Sequence, residues 1–161
     1  MKYHHCELGL NSRLDELQAS IVRIKFRHLE AWNNARRRHA YRYNQLFANV
    51  AGIVTPKEIG NAVRCVYHQY TIRVENREAV SKQLTAAGIG NMVYYPVPLH
   101  QQEVHQDLGY KLGSFPESEA AARQCLSLPM FPELTEAQQD EVVKAVIAAV
   151  GGGRSELRKS A

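Results

Sequence analysis

Between residues 11 and 50 the chain carries neither glycine nor proline. Asn11 or Ser12 is placed to cap a helix, and Asp15 and Glu16 then fall in its first turn, where carboxylates favour the positive end. The pattern predicts one long helix over about residues 12–50, kinked or straight. Leu14, Leu17, Ile21, Ile24, His28, Ala31 and Ala35 recur at helical spacing as one apolar stripe. Val22, Phe26 and Leu29 form a second stripe on a nearly opposite side. Such a helix is about 50 Å long at about 1.5 Å per residue. A chain of 161 residues folds to a radius of gyration of only about 15 Å. The helix must overhang its domain, and two apolar sides require two covering layers. The chain itself supplies only one.

Beyond that segment the pattern changes. Residues 63–74 (VRCVYHQYTIRV) alternate with the period of a two-faced strand. Residues 78–87 read as a helix closed by Gly88, and residues 91–95 as a second strand halted by Pro96 and Pro98. Residues 100–108 fit a short helical turn. Ser114 with Glu117 makes a capping box for a helix reaching about residue 126, with Pro116 in its first turn. Leu128-Pro129-Met130-Phe131-Pro132 is extended. Thr135 with Gln138 caps a last helix over 136–150, whose stripe includes Val142, Val146 and Ala149. Residues 1–150 therefore form one α+β domain with a long N-terminal helix, a small, mostly antiparallel sheet and flanking helices. Residues 151–161 read as a flexible tail.

Several functions are disfavoured. No apolar run approaches the roughly 20 residues of a membrane span. Three scattered cysteines, Cys6, Cys65 and Cys125, do not make a disulfide framework and fit a reducing, cytoplasmic setting. The net charge is +4, but Arg23, Lys25, Arg27, Arg36, Arg37, Arg38 and Arg42 spread around the whole helix circumference. A helix reading nucleic acid needs its cations on one side, so none is expected. His4, His5 and Cys6 are adjacent and lack a spaced ligand pair, so no metal is expected. Neither a nucleophile elbow nor a phosphate-binding glycine loop is present.

Two strings remain. Gly9-Leu10-Asn11-Ser12-Arg13-Leu14-Asp15-Glu16-Leu17-Gln18-Ala19 offers an amide, a hydroxyl and a guanidinium at a helix start, a place suited to an anion; simple capping by Asn11 and Ser12 is the alternative. Tyr94-Tyr95-Pro96-Val97-Pro98-Leu99-His100-Gln101 is stiffened by two prolines, which hold Tyr95 and His100 with little freedom to lose on binding. A surface turn with a buried tyrosine is its alternative.

In this order the two strings resemble the C-terminal part of DegT/DnrJ/StrS-type sugar aminotransferases, fold-type I enzymes that use pyridoxal 5′-phosphate. Val66-Tyr67-His68-Gln69-Tyr70-Thr71-Ile72-Arg73-Val74, Gly88-Ile89-Gly90 and Leu126-Ser127-Leu128-Pro129-Met130-Phe131-Pro132 extend the resemblance to about residue 150. Leu10, Tyr94 and Asn91 depart from its commonest residues. The resemblance implies the small C-terminal domain of such an enzyme, and transamination of a nucleotide-linked keto sugar with glutamate as amino donor. It implies that Asn11, with Arg13 beside it, reaches the cofactor phosphate of a neighbouring subunit, and that Tyr95 and His100 contact substrate across a dimer. No lysine here matches the Schiff-base lysine, which the family carries in a preceding large domain. The chain alone is thus expected to be catalytically incompetent, as a partial or truncated enzyme in a homodimer or with a large domain. A separate interaction or regulatory module, pairing with a large domain encoded elsewhere, is the alternative.

Overall fold

The computed structural model describes residues 3–58, 60 and 64–159. Eight elements follow in order: α1 (Glu16–Phe26), α2 (Leu29–Phe47), β1 (Ile53–Val54), β2 (Tyr70–Val74), α3 (Arg77–Ala86), α4 (Pro116–Gln124), β3 (Cys125–Leu128) and α5 (Glu136–Lys159). Two 3-10 turns, Leu99–Gln101 and Glu103–Leu108, lie between α3 and α4. The sheet is antiparallel throughout, in the order β1-β2-β3. Its register pairs Ile53 with Val74, and Ile72 with Leu126.

The expected long helix is two helices. The helical ladder gives way at Arg27 and His28, where the His28 amide donates to Lys25 O at 3.0 Å, three residues back. The ladder restarts when the Trp32 amide donates to His28 O, with the two rings 5.5 Å apart. No glycine or proline signals this break. The cap also differs from expectation: Asp15, not Asn11 or Ser12, accepts from the Gln18 amide at 2.7 Å. The carboxylate wins because it adds charge at the positive helix end to the hydrogen bond.

The core lies where α2, α3 and α5 pack over the sheet. Tyr43 and Phe47 of α2 stack on each other and Tyr43 stacks on Tyr70 of β2, with centroids 6.0 and 4.9 Å apart. Ile72, Leu84, Leu126 and Val146 are fully buried around them, and Val142 and Ala149 close the α5 side as the sequence stripe predicts. Gly88 turns the chain out of α3 at φ +74°, a conformation in which a side chain would be strained.

Other expectations shift. The strand expected over 63–74 begins only at Tyr70, because Tyr67 takes φ +48° and breaks the alternation; Val63 lies outside the described residues. Burial, with Glu58 adding to it, pushes the Tyr67 phenol up to about 12. The second expected strand shrinks to one bridge, Met92 with Ser127. Residues 125–128, read as helix end and extended chain, are instead a strand. The Thr135–Gln138 capping box is present, with the Gln138 amide donating to Thr135 Oγ1 at 3.3 Å. The last helix runs on to Lys159 where a tail was expected from residue 151, and residues 160 and 161 lie outside the described residues.

α1 has no buried residue. Leu14, Leu17, Ile21 and Ile24 on one stripe, and Val22 and Phe26 on the other, are all exposed. Of the first stripe as read from sequence, Ala35 alone enters the core. Uncovered apolar area of this kind drives association. The chain is therefore expected to sediment as a dimer or larger species, and Ile21→Glu with Phe26→Glu to shift it toward monomer. A monodisperse unsubstituted monomer would contradict this.

Candidate functional site

A cleft of about 580 Å³ opens beside the proline-stiffened segment. Tyr94, Tyr95, Val97, Pro98 and Leu99 form one wall, and Ser118, Ala121 and Ala122 of α4 another, with Cys125 at the start of β3. Tyr3 and His5 contribute from the start of the chain. Tyr95 is 58% exposed, and the Cys125 thiol sits 3.9 Å from its carbonyl oxygen.

Gln102 ties this region together. Its Oε1 accepts from the His5 amide at 3.0 Å, and its Nε2 donates to Tyr3 O at 2.9 Å. The Val104 amide donates in turn to His5 O at 3.1 Å. These bonds hold Tyr3 so that its ring meets Tyr95 edge-on at 5.2 Å and Tyr94 at 6.0 Å. The wall of the cleft is thus an aromatic cluster joined across almost a hundred residues of sequence. Gln102 is buried, and its two-sided amide is what allows one side chain to accept and donate at once.

His100 is turned into the fold. It is 9% exposed, its ring lies 4.9 Å from Phe115, and its Nε2–H donates to Glu119 Oε1 at 3.0 Å. In this structure that nitrogen is committed to an internal carboxylate. Glu119 also accepts from the Gly113 amide at 2.8 and 3.0 Å and from the Phe115 amide at 3.4 Å. Burial pushes its carboxyl up, but the Gly113 amide, the His100 ring and the Phe115 amide outweigh this and hold it below the ordinary carboxylate range. Glu119 therefore does the work expected of a Ser114–Glu117 box. Ser114 Oγ instead accepts from the Lys111 amide.

Asn11 and Arg13 are exposed, on irregular chain ahead of α1. Because Asp15 already occupies the α1 terminus and Glu16 follows it, that helix end is not an anion cradle. The Asn11 and Arg13 side chains lie outside the core.

The fold defines a class, that of aminotransferases, whose solved structures it matches over about 40% of their length. The sequence profile of the DegT/DnrJ/EryC1/StrS aminotransferase family matches residues 1–147, and the chain belongs to that family. A "Pleiotropic regulatory protein" of Geobacillus stearothermophilus is 52% identical over 147 residues, covering 90% of this chain and 39% of its own. The "UDP-N-acetyl-3-dehydro-alpha-D-glucosamine 3-aminotransferase" of Acidithiobacillus ferrooxidans is 41% identical, over 93% of this chain and 40% of its own. Among solved structures, S. venezuelae DesV in complex with a ketimine intermediate superposes with a TM-score of 0.80 at 38% identity, covering 92% of this chain and 40% of DesV. The chain thus spans about 40% of the length of these relatives.

Proposed function

We propose that this chain is the C-terminal portion of an aminotransferase that uses pyridoxal 5′-phosphate to aminate a keto sugar carried on a nucleotide, with glutamate as amino donor. The observation that carries the reading is the pairing of family membership over residues 1–147 with an open tyrosine-walled cleft at the Tyr95 segment. The relative named for a UDP-linked sugar supports the substrate class. The cofactor, when bound, supplies an electron sink for moving a proton between carbons. Asn11 and Arg13 would hold its phosphate from across a subunit boundary, and their exposure fits that task. Tyr95 would orient the sugar through its hydroxyl. His100 would act on substrate only indirectly, as a positioning residue that fixes the Tyr95 segment through Glu119.

No lysine in the chain matches the family's Schiff-base lysine, so the 161 residues alone are expected to be inactive. The test is direct. Mixing the purified chain with pyridoxal 5′-phosphate should give only the spectrum of free cofactor, unchanged by glutamate. A bound-cofactor band that glutamate reverses would overturn this expectation.

The uncovered α1 favours a second reading, in which the chain pairs with a large domain supplied separately. Recovery of a stable complex that binds the cofactor would support it, and failure of each candidate large domain to co-purify would count against it.

A further inference from the structure

Two arginines converge on one neutral oxygen at the start of α2. Asn34 Oδ1 accepts from Arg37 Nη2 at 2.6 Å and from Arg64 Nη2 at 2.8 Å. Like charges held this close repel, and an amide dipole offsets little of that cost. Arg37 has 17% of its side chain exposed, and its one ion pair among the described residues is with the exposed Glu30 at 3.9 Å, near the limit of such contacts. Arg64 makes no ion pair among the described residues. The two guanidinium groups that meet at Asn34 therefore have one distant, exposed carboxylate between them among the described residues.

We propose that Arg37 and Arg64, spaced by Asn34, bind a phosphate dianion. A guanidinium presents its N–H groups as a rigid fork, and a tetrahedral phosphate offers oxygens to two forks at once. Its two negative charges match the two arginines, which a single carboxylate does not. Asn34 keeps the forks together while remaining neutral, so the charge stays available. None of these residues lines the cleft at Tyr95. The site does not depend on the aminotransferase reading, and its anion is either free phosphate or the diphosphate of a nucleotide.

The experiment uses the whole chain, with binding followed by calorimetry and by the guanidinium N–H signals in NMR. Inorganic phosphate, pyrophosphate and UDP are the probes, and glutamate is the carboxylate control. Phosphate should bind, shift the Arg37 and Arg64 signals, and weaken as salt rises. Arg64→Gln should weaken it at least about tenfold. Asn34→Asp should weaken it at least about tenfold, because a carboxylate in the same place occupies both forks and cancels half of their charge. Circular dichroism confirms that each variant folds. UDP binding at least about tenfold tighter than pyrophosphate assigns the anion to a nucleotide, and equal binding assigns it to free phosphate. Absence of binding at about 20 mM phosphate, or binding that both variants retain, overturns the proposal.

Discussion

Tyr43→Ala is expected to cost about 3–5 kcal/mol of folding stability and to lower the thermal midpoint by roughly 6–20 °C. Tyr43 is fully buried, stacks on Tyr70 and Phe47, and donates its hydroxyl to Pro129 O at 3.2 Å. It thus joins α2 to the sheet and to the extended chain after β3. Burial pushes the phenol above its ordinary value of 10, so it stays protonated and remains a donor. Truncation opens a cavity at the point where three elements meet, and the rigid sheet allows little collapse. Tyr43→Phe keeps the ring and removes only the donor, so its cost should be nearer about 1 kcal/mol. Differential scanning calorimetry separates the two. A Tyr43→Ala variant melting within a few degrees of the unsubstituted chain would show that the stack is not the centre of the core.

What could be read from the sequence follows a physical division. α5 was legible because Val142, Val146 and Ala149 fall on one helical face and meet the core there. α1 misled because its apolar positions lie on both sides and the chain buries neither, so periodicity had nothing to report on. β3 escaped notice for the opposite reason. All four of its residues are buried, and a strand covered on both faces shows no alternation. Tyr67 hid the true start of β2, since a positive φ at a non-glycine residue leaves no mark in composition.

The site divides the same way. Tyr95 and His100 stood out because two prolines stiffen six consecutive residues around them. Gln102 and Glu119 did not, since their partners lie far along the chain or are backbone groups that any residue carries. Gln102 reaches back to Tyr3 and His5, and Glu119 bonds Gly113, Phe115 and His100. Only the fold brings these together, and the consequence is that the cleft wall rests on residues with no sequence signature.

Glu119→Gln should make that dependence visible as a function of pH. The carboxylate accepts two backbone amides and the His100 ring while itself buried, and its native acidity is increased over the ordinary value of 4.5. A carboxyl more acidic in the folded chain than in the unfolded one binds fewer protons when folded. Its contribution is therefore fully present above about pH 4.5 and is lost as the pH falls through the lower native value. A glutamine keeps one acceptor oxygen but presents N–H groups where Gly113 or His100 also donates. At neutral pH the unsubstituted chain should melt well above the variant, and its Gly113 and Phe115 amides should exchange more slowly. Below about pH 4.5 the gap should narrow, because the unfolded chain then takes up a proton that the folded carboxylate still excludes, and it should level off once the native carboxyl is protonated too. The resonances of Tyr95 should move in the variant as well, since His100 would lose the anchor that fixes its segment. A gap that is constant across the acid range would mean that Glu119 acts through shape alone. Unmoved Tyr95 resonances would mean that the His100–Glu119 pair does not position the cleft wall.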